Sequence, residues 1–223
     1  MKPPPDLVIF DCDGVLVDSE PVSMRILLET IRSAGLSLEP AVGYELFLGR
    51  SLASVGRTLS EDFGITLDAV ALAEMRQRLY AAFREELRPM SGVADTLAAL
   101  RVPFCVASSS QPERVELSLR LTGLWRWFEG RAFSASMVAL GKPAPDLFLF
   151  AAERMGYDPM ACLVVEDSPA GVSAARAAGM RAVGFTGGGH AGRAELETRL
   201  ATLEPDRLVS DMRDLVGLVH GKD

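Results

Sequence analysis

The sequence predicts an α/β fold, a parallel sheet with crossover helices, interrupted after its first strand by a long helical insertion. Three observations carry this reading. Short apolar runs rich in Val, Ile and Phe recur at Leu7 to Phe10, Pro103 to Ala107, Cys162 to Val165 and Arg181 to Phe185, as expected of strands buried in a parallel sheet. Helical patterns lie between them. From about Val17 to Pro89 no strand-like run occurs.

The first strand runs into Asp11-Cys12-Asp13-Gly14. The insertion follows, with amphipathic segments at Pro21 to Ala34 and Leu67 to Leu87. It carries its own apolar faces (Ile26, Leu27, Ile31; Leu72, Met75, Leu79, Phe83) and is too long for a crossover connection. It is therefore expected to form a small helical domain over 17–89, with 1–16 and 90–223 forming the sheet domain. The chain would cross between them near Leu16 to Glu20 and near Arg88 to Ser91. Helix starts are predicted at Ser110-Gln-Pro-Glu113, read as a capping box, at Pro145-Asp146 and at Ser168-Pro169. Trp125 and Trp127, beside Phe128, are read as packing residues. Gly187, Gly189 and Gly192 match a dinucleotide-binding spacing, but too little chain follows for a second half-fold. The stretch is read as a flexible loop with His190 on the surface.

The chain has 223 residues, 48% of them hydrophobic and 24% charged, which places it among ordinary globular proteins and excludes collagen-like and disordered classes. Its net charge of −7 gives no general attraction to nucleic acid or to an anionic membrane, so an anionic ligand needs a local site. The opening MKPPPDLVIFDCDG lacks a basic segment and a long apolar stretch; a cytoplasmic monomer is expected. Cys12, Cys105 and Cys162 form no CxxC pair and are read as buried free thiols. With only His190 and His220 as histidines, carboxylates must carry any chemistry.

Asp11 and Asp13 are two apart at a strand end, so both face one side while Cys12 faces the other. At roughly 4 Å two such charges repel by about 4 kcal/mol at an effective dielectric of about 20, which favours a cation or a shared proton between them. The carboxyl end of a strand is also where open α/β sheets bind ligands. The neighbouring strands end in matching chemistry. Ser108-Ser109-Ser110 precedes a helix start, where hydroxyls and backbone amides meet an anion. Glu166-Asp167 adds two carboxylates, and Lys142 stands on a loop from which its ammonium can reach a dianion. Hard oxygen donors of this kind suit Mg²⁺ better than zinc.

Asp11-Cys-Asp13-Gly14-Val15, Ser108, Lys142-Pro143 and Glu166-Asp167-Ser168, in that order, resemble the four signatures of the haloacid dehalogenase superfamily of phosphotransferases. The likeness extends to Asp18-Ser19-Glu20-Pro21 and Ala170-Gly171. It implies a Rossmann-like core, an inserted all-helical cap domain and an aspartyl-phosphate mechanism. Carried over, Asp11 is the nucleophile and Asp13 the general acid and base. Ser108, Ser109 and Lys142 hold the phosphoryl oxygens. Mg²⁺ is held by Asp11, the Asp13 carbonyl and Asp167, with Glu166 a ligand or a neighbour of one.

Within the superfamily, Asp13 separates the chain from dehalogenases. The absence of lysine from the cap separates it from phosphonatase-like members, since Lys2, Lys142 and Lys222 are the only lysines. β-Phosphoglucomutase-like members carry a cap histidine where this chain has Ser23, and Gly49-Arg50-Ser51-Leu52 aligns with an arginine motif only by a shift. The resemblance thus implies a Mg²⁺-dependent phosphatase of a small phosphorylated metabolite such as a sugar phosphate, with Arg50 and Ser51 as substrate contacts on the cap. A phosphomutase and a non-catalytic phosphometabolite-binding protein are the alternatives.

Overall fold

The computed structural model describes residues 3–192 and 194–221. Six parallel strands form one sheet: β1 (Leu7–Phe10), β2 (Phe104–Ser108), β3 (Ala132–Ser134), β4 (Cys162–Glu166), β5 (Arg181–Phe185) and β6 (Arg207–Val209), in the order β3-β2-β1-β4-β5-β6. The fold is the expected α/β, Rossmann-like sheet core. The strand order reverses at β1, between β2 and β4, so the carboxyl ends of those three strands frame one crevice.

Four helices follow β1 directly: α1 (Glu20–Ser33), α2 (Pro40–Phe47), α3 (Leu52–Phe63) and α4 (Ala69–Glu86). The rest alternate with the strands: α5 (Val93–Ala99), α6 (Pro112–Leu121), α7 (Trp125–Phe128), α8 (Asp146–Met155), α9 (Pro169–Ala177), α10 (Leu196–Ala201) and α11 (Asp214–His220). Where the chain leaves the sheet and where it returns, it pairs with itself. Val17 bridges Pro89 in antiparallel fashion, Asp18 N donates to Arg88 O at 3.0 Å, and Met90 N donates to Leu16 O at 2.9 Å.

The central strands are buried on both faces, and their alternation sorts side chains into two cores. Val8, Phe10, Val106 and Val165 join one, and Leu7, Ile9, Cys105 and Val164 the other. Phe128 closes the first core edge-on against Phe10 and Phe104, which confirms that end of α7 as packing. Val22, Ile26, Leu79 and Phe83 of α1 and α4 belong to that same core, so the helical insertion is packed onto the sheet rather than tethered beside it. All three cysteines are buried and free. Among the described residues no helix is long and apolar enough to cross a membrane.

Strands β3 and β6, absent from the sequence reading, have three residues each and lie at the two edges of the sheet. Three residues are too few to write an apolar run, and β6 is half-exposed besides. The predicted capping box at Ser110 also fails. The residue before α6 is Gln111, with no side-chain cap, because the Ser110 hydroxyl is drawn to a buried carboxylate instead. Ser168 does N-cap α9, accepting from Gly171 N at 3.0 Å.

Candidate active site

Asp11 follows β1 at the strand-order reversal, its N–H bonded to Val165 O at 2.9 Å. Two residues on, Asp13 sits in a tight turn closed by Gly14 N to Val17 O at 2.8 Å, which Gly14 enters with φ +78°. Gly14 is required sterically as well, since a Cβ there would lie 1.7 Å from Asp167 Oδ2. Both aspartates line one cavity beneath the helical insertion, and Cys12 points into the core, as the alternation predicts.

Lys142 reaches this point fully buried. Its ammonium donates to Asp11 Oδ1 at 2.5 Å, to Glu166 Oε1 at 2.7 Å and to Ala107 O at 3.1 Å. Burial would lower its pKa, yet Asp11 and Glu166 raise it above its ordinary value, so it is a fixed cation. The Glu166 Oε2 accepts from Ser168 N at 2.7 Å and Ser168 Oγ at 2.9 Å. Both Glu166 oxygens are therefore taken. The residue orients Lys142 through Oε1 and the start of α9 through Oε2, the arrangement of a neighbour of the metal ligands, one of the two roles expected of it.

Asp13 is surrounded by donors. Ser19 Oγ and Arg114 Nη2 donate to Oδ1 at 2.6 and 2.7 Å, and Ser110 Oγ donates to Oδ2 at 2.6 Å. Burial alone would raise its pKa, but the Arg114 guanidinium and the two hydroxyls hold it below the usual carboxylate range. Asp11 moves the other way. Burial, with crowding by Glu166, Asp167 and Asp13, pushes it well above that range against the opposing Lys142 charge. The two neighbours are thus driven apart in proton affinity by their surroundings.

Of the other expected contacts, Ser108 and Ser109 line the cavity, with Ser108 Oγ accepting from Ser110 N at 3.0 Å. Ser109 Oγ instead donates across to Gly49 O in the insertion at 3.1 Å. Arg50 lines the cavity beside Gly49. Ser51 does not line it, because its hydroxyl N-caps α3, accepting from Ser54 N at 3.3 Å.

Three residues escaped sequence reasoning. Arg114 stands on the first turn of α6, bonded to Asp13 and to Ser23 Oγ (2.9 Å) and lying over the Phe83 ring at 5.3 Å. Its place one helical turn beyond the serine run was the only available signal. Glu20, in the first turn of α1, lines the cavity and is nearly buried. Burial, then Asp13 and Asp167, raise its pKa to about 8. His190, expected on the surface, is fully buried. The glycine loop folds over the Gly14 turn, Gly189 N donates to Asp18 Oδ1 at 2.9 Å, and the His190 ring stacks on Tyr44 of α2 at 6.0 Å.

Asp167 lies at the metal-binding position of the resemblance, 2% exposed and raised in pKa by burial and by Glu166. Its Oδ2 approaches His190 Nε2 at 2.9 Å without forming a hydrogen bond. Among the described residues no three His, Cys, Asp or Glu side chains make a ready metal cage. Asp11, Asp13, Glu20, Glu166 and Asp167 converge here against Lys142 and Arg114, an acidic excess of hard oxygen donors.

The family model of the haloacid dehalogenase-like hydrolases matches residues 5–179. The chain belongs to that family. It is 30% identical over 186 residues to the 6-phosphogluconate phosphatase of Escherichia coli, covering 83% of this chain and 84% of that one. It is 33% identical over 179 residues to the fructose-1-phosphate phosphatase of the same organism, covering 79% and 94%. Among solved structures, a haloacid dehalogenase family hydrolase from Deinococcus radiodurans with bound phosphate and sodium superposes with TM-score 0.77 at 32% identity, covering 99% of this chain and 97% of that one. The haloacid dehalogenase-like chain described here is a phosphoric monoester hydrolase acting on phosphorylated small molecules.

Proposed function

We propose that the chain is a Mg²⁺-dependent phosphatase of a small sugar phosphate or kindred metabolite, working through a phosphoaspartate on Asp11. The carrying observation is the contrast between the two cavity carboxylates: Asp11 is held by a buried ammonium, and Asp13 is ringed by the donors Ser19, Ser108, Ser110 and Arg114.

In this reading the Asp11 carboxylate attacks phosphorus in line, and the bond to the leaving oxygen breaks as the new P–O bond forms. In the metal-free chain burial favours a proton on Asp11 and the donors keep Asp13 ionised, so in this reading that proton would move to Asp13 when a divalent cation is held beside Asp11, and Asp13 gives it to the leaving oxygen. Asp13 then takes one from the water that attacks the phosphoaspartate, which returns free phosphate and Asp11. Ser108 lines the cavity and would hold a transferring oxygen; Lys142, whose three ammonium protons go to Asp11, Glu166 and Ala107, fixes the attacking carboxylate through Oδ1 and would reach a transferring oxygen by giving up one of those bonds. Asp11, the Asp13 carbonyl and Asp167 would hold Mg²⁺, which when bound offsets repulsion between the carboxylate and the phosphate dianion. The names of the two Escherichia coli phosphatases support the sugar-phosphate class, and phosphate bound in the Deinococcus radiodurans relative supports an anion site.

The test is hydrolysis of p-nitrophenyl phosphate with and without Mg²⁺, followed by borohydride reduction of the quenched enzyme. The expected result is Mg²⁺-dependent turnover and an alcohol at position 11 by mass spectrometry. Turnover with the reduced side chain elsewhere overturns the assignment, and a folded but inert protein favours a binding role. Conversion of β-glucose 1-phosphate with a bisphosphate primer to glucose 6-phosphate, without net phosphate release, would establish the mutase instead.

A further inference from the structure

We infer that Glu20 is a specificity-determining residue whose carboxyl receives a hydroxyl of the substrate's leaving group. This rests on the phosphatase reading and adds a residue to its substrate site. Three carboxylic acids line the cavity beneath the insertion: Asp11, Asp13 and Glu20. Two are engaged within the protein. Lys142 holds Asp11, and Ser19, Ser110 and Arg114 hold Asp13. Among the described residues no hydrogen bond or ion pair engages the Glu20 carboxyl, although only 9% of the residue is exposed.

A glutamate in the first turn of a helix commonly complements the dipole from the solvent side. This one lines the cavity instead, as does Ser23 one turn further along α1. A buried carboxyl without a partner is costly, so the group that satisfies it is sought in the substrate. Charges of both signs act on Glu20, Asp13 against Arg114. A second anion beside it would be repelled by Asp13, and an ammonium by the guanidinium. A neutral hydroxyl, both donor and acceptor, conflicts with neither, and a carboxyl oxygen accepts from it whether or not the acid is ionised. An ester lacking that hydroxyl would bury Glu20 with its oxygens unpaired, which is the arrangement that discriminates most strongly between substrates.

The experiment measures kcat/KM, with Mg²⁺ present, for glycerol 1-phosphate, glucose 6-phosphate, fructose 1-phosphate and p-nitrophenyl phosphate, whose nitrophenyl group carries no hydroxyl. Wild type is compared with Glu20→Ala and Glu20→Gln, and Glu20→Leu replaces the alanine variant should that one not fold. Relative to p-nitrophenyl phosphate, the hydroxylated ester that wild type prefers should lose at least about tenfold in Glu20→Ala. Glu20→Gln keeps an acceptor oxygen and should recover at least threefold of that loss. A relative loss below tenfold on every hydroxylated ester, as expected of a carboxyl that serves only the fold or a cation, overturns the inference. So does a glutamine variant that falls as far as the alanine one, or a wild type that turns over p-nitrophenyl phosphate and none of the hydroxylated esters. In each of these cases turnover of p-nitrophenyl phosphate leaves the phosphatase reading standing. If p-nitrophenyl phosphate is also inert, that reading fails and takes this one with it.

Discussion

Gly171 and Glu166 occupy the same space: a Cβ on Gly171 would lie 1.8 Å from Glu166 Oε1, the oxygen that holds Lys142. The backbone there is ordinary helix, so the requirement for glycine is purely one of room. Gly171→Ala should displace Glu166, cost about 1–3 kcal/mol in urea unfolding and lower kcat at least tenfold. Gly56→Ala is the control. That helical glycine meets no atom within 4 Å, so alanine should stabilise by up to about 1 kcal/mol with kcat unchanged.

Asp11→Asn keeps the shape of the side chain and removes the nucleophile. Turnover should fall by at least a thousandfold on the scale of losses seen for essential groups, with the circular dichroism spectrum and thermal midpoint close to wild type. A variant retaining a tenth of the wild-type rate would rule out the nucleophilic role.

Glu20 sets a pH dependence of stability. Its ordinary pKa of 4.5 is raised to about 8 in the folded chain, by burial first and then by Asp13 and Asp167. Between those values the folded state keeps a proton that the unfolded state has lost, so folding stability falls as pH rises from 4.5 to 8. Below pH 4.5 both states are protonated and the contribution vanishes. Urea midpoints of metal-free protein should decline across that window, and Glu20→Gln, which mimics the protonated acid, should flatten the decline.

The acidic excess around Asp167 predicts that Mg²⁺ stabilises the protein as well as activating it. At a hundredfold excess over its dissociation constant a ligand adds about 2.7 kcal/mol, which differential scanning calorimetry reads as a higher midpoint. In Asp167→Asn that rise should shrink by more than half. An equal rise in both proteins would place the cation elsewhere.

Gly49 adopts φ +73°, and a Cβ there would lie 2.2 Å from Ser168 Oγ. The insertion therefore rests directly on the start of α9. Gly49→Ala should separate the two, break the Ser109 to Gly49 bond and raise KM for the best substrate several-fold. Its effect on overall stability should stay near the roughly 1 kcal/mol of left-handed strain.

Much of this architecture was legible in the residues themselves. β1 and β5 were read to the residue because parallel-sheet strands buried on both faces write continuous apolar runs, as in Leu7 to Phe10 and Arg181 to Phe185. The Asp11, Asp13, Ser108 and Lys142 constellation was readable because each follows a strand or stands in a loop at the same end of the sheet. What failed was pairing between distant segments. Nothing near Ser51 announces that its hydroxyl caps a helix instead of facing a cavity. Nothing in a glycine loop says that it folds inward and buries His190 against Tyr44. Glu166 was readable only as a ligand or a neighbour of one, because spacing reveals proximity to the site but not that its oxygens accept from Lys142 and Ser168.

The antiparallel bridge between Val17 and Pro89 has an architectural consequence. Because the outgoing and returning strands touch, everything from Asp18 to Arg88 hangs from the sheet as though from a two-residue turn, and its length costs the core almost nothing in closure entropy. Another set of helices entering and leaving through the same doorway would leave the strands, Asp11 and Lys142 in place only if it also supplied the Ser19 hydroxyl that Asp13 accepts from and the apolar face that α1 and α4 press onto the sheet.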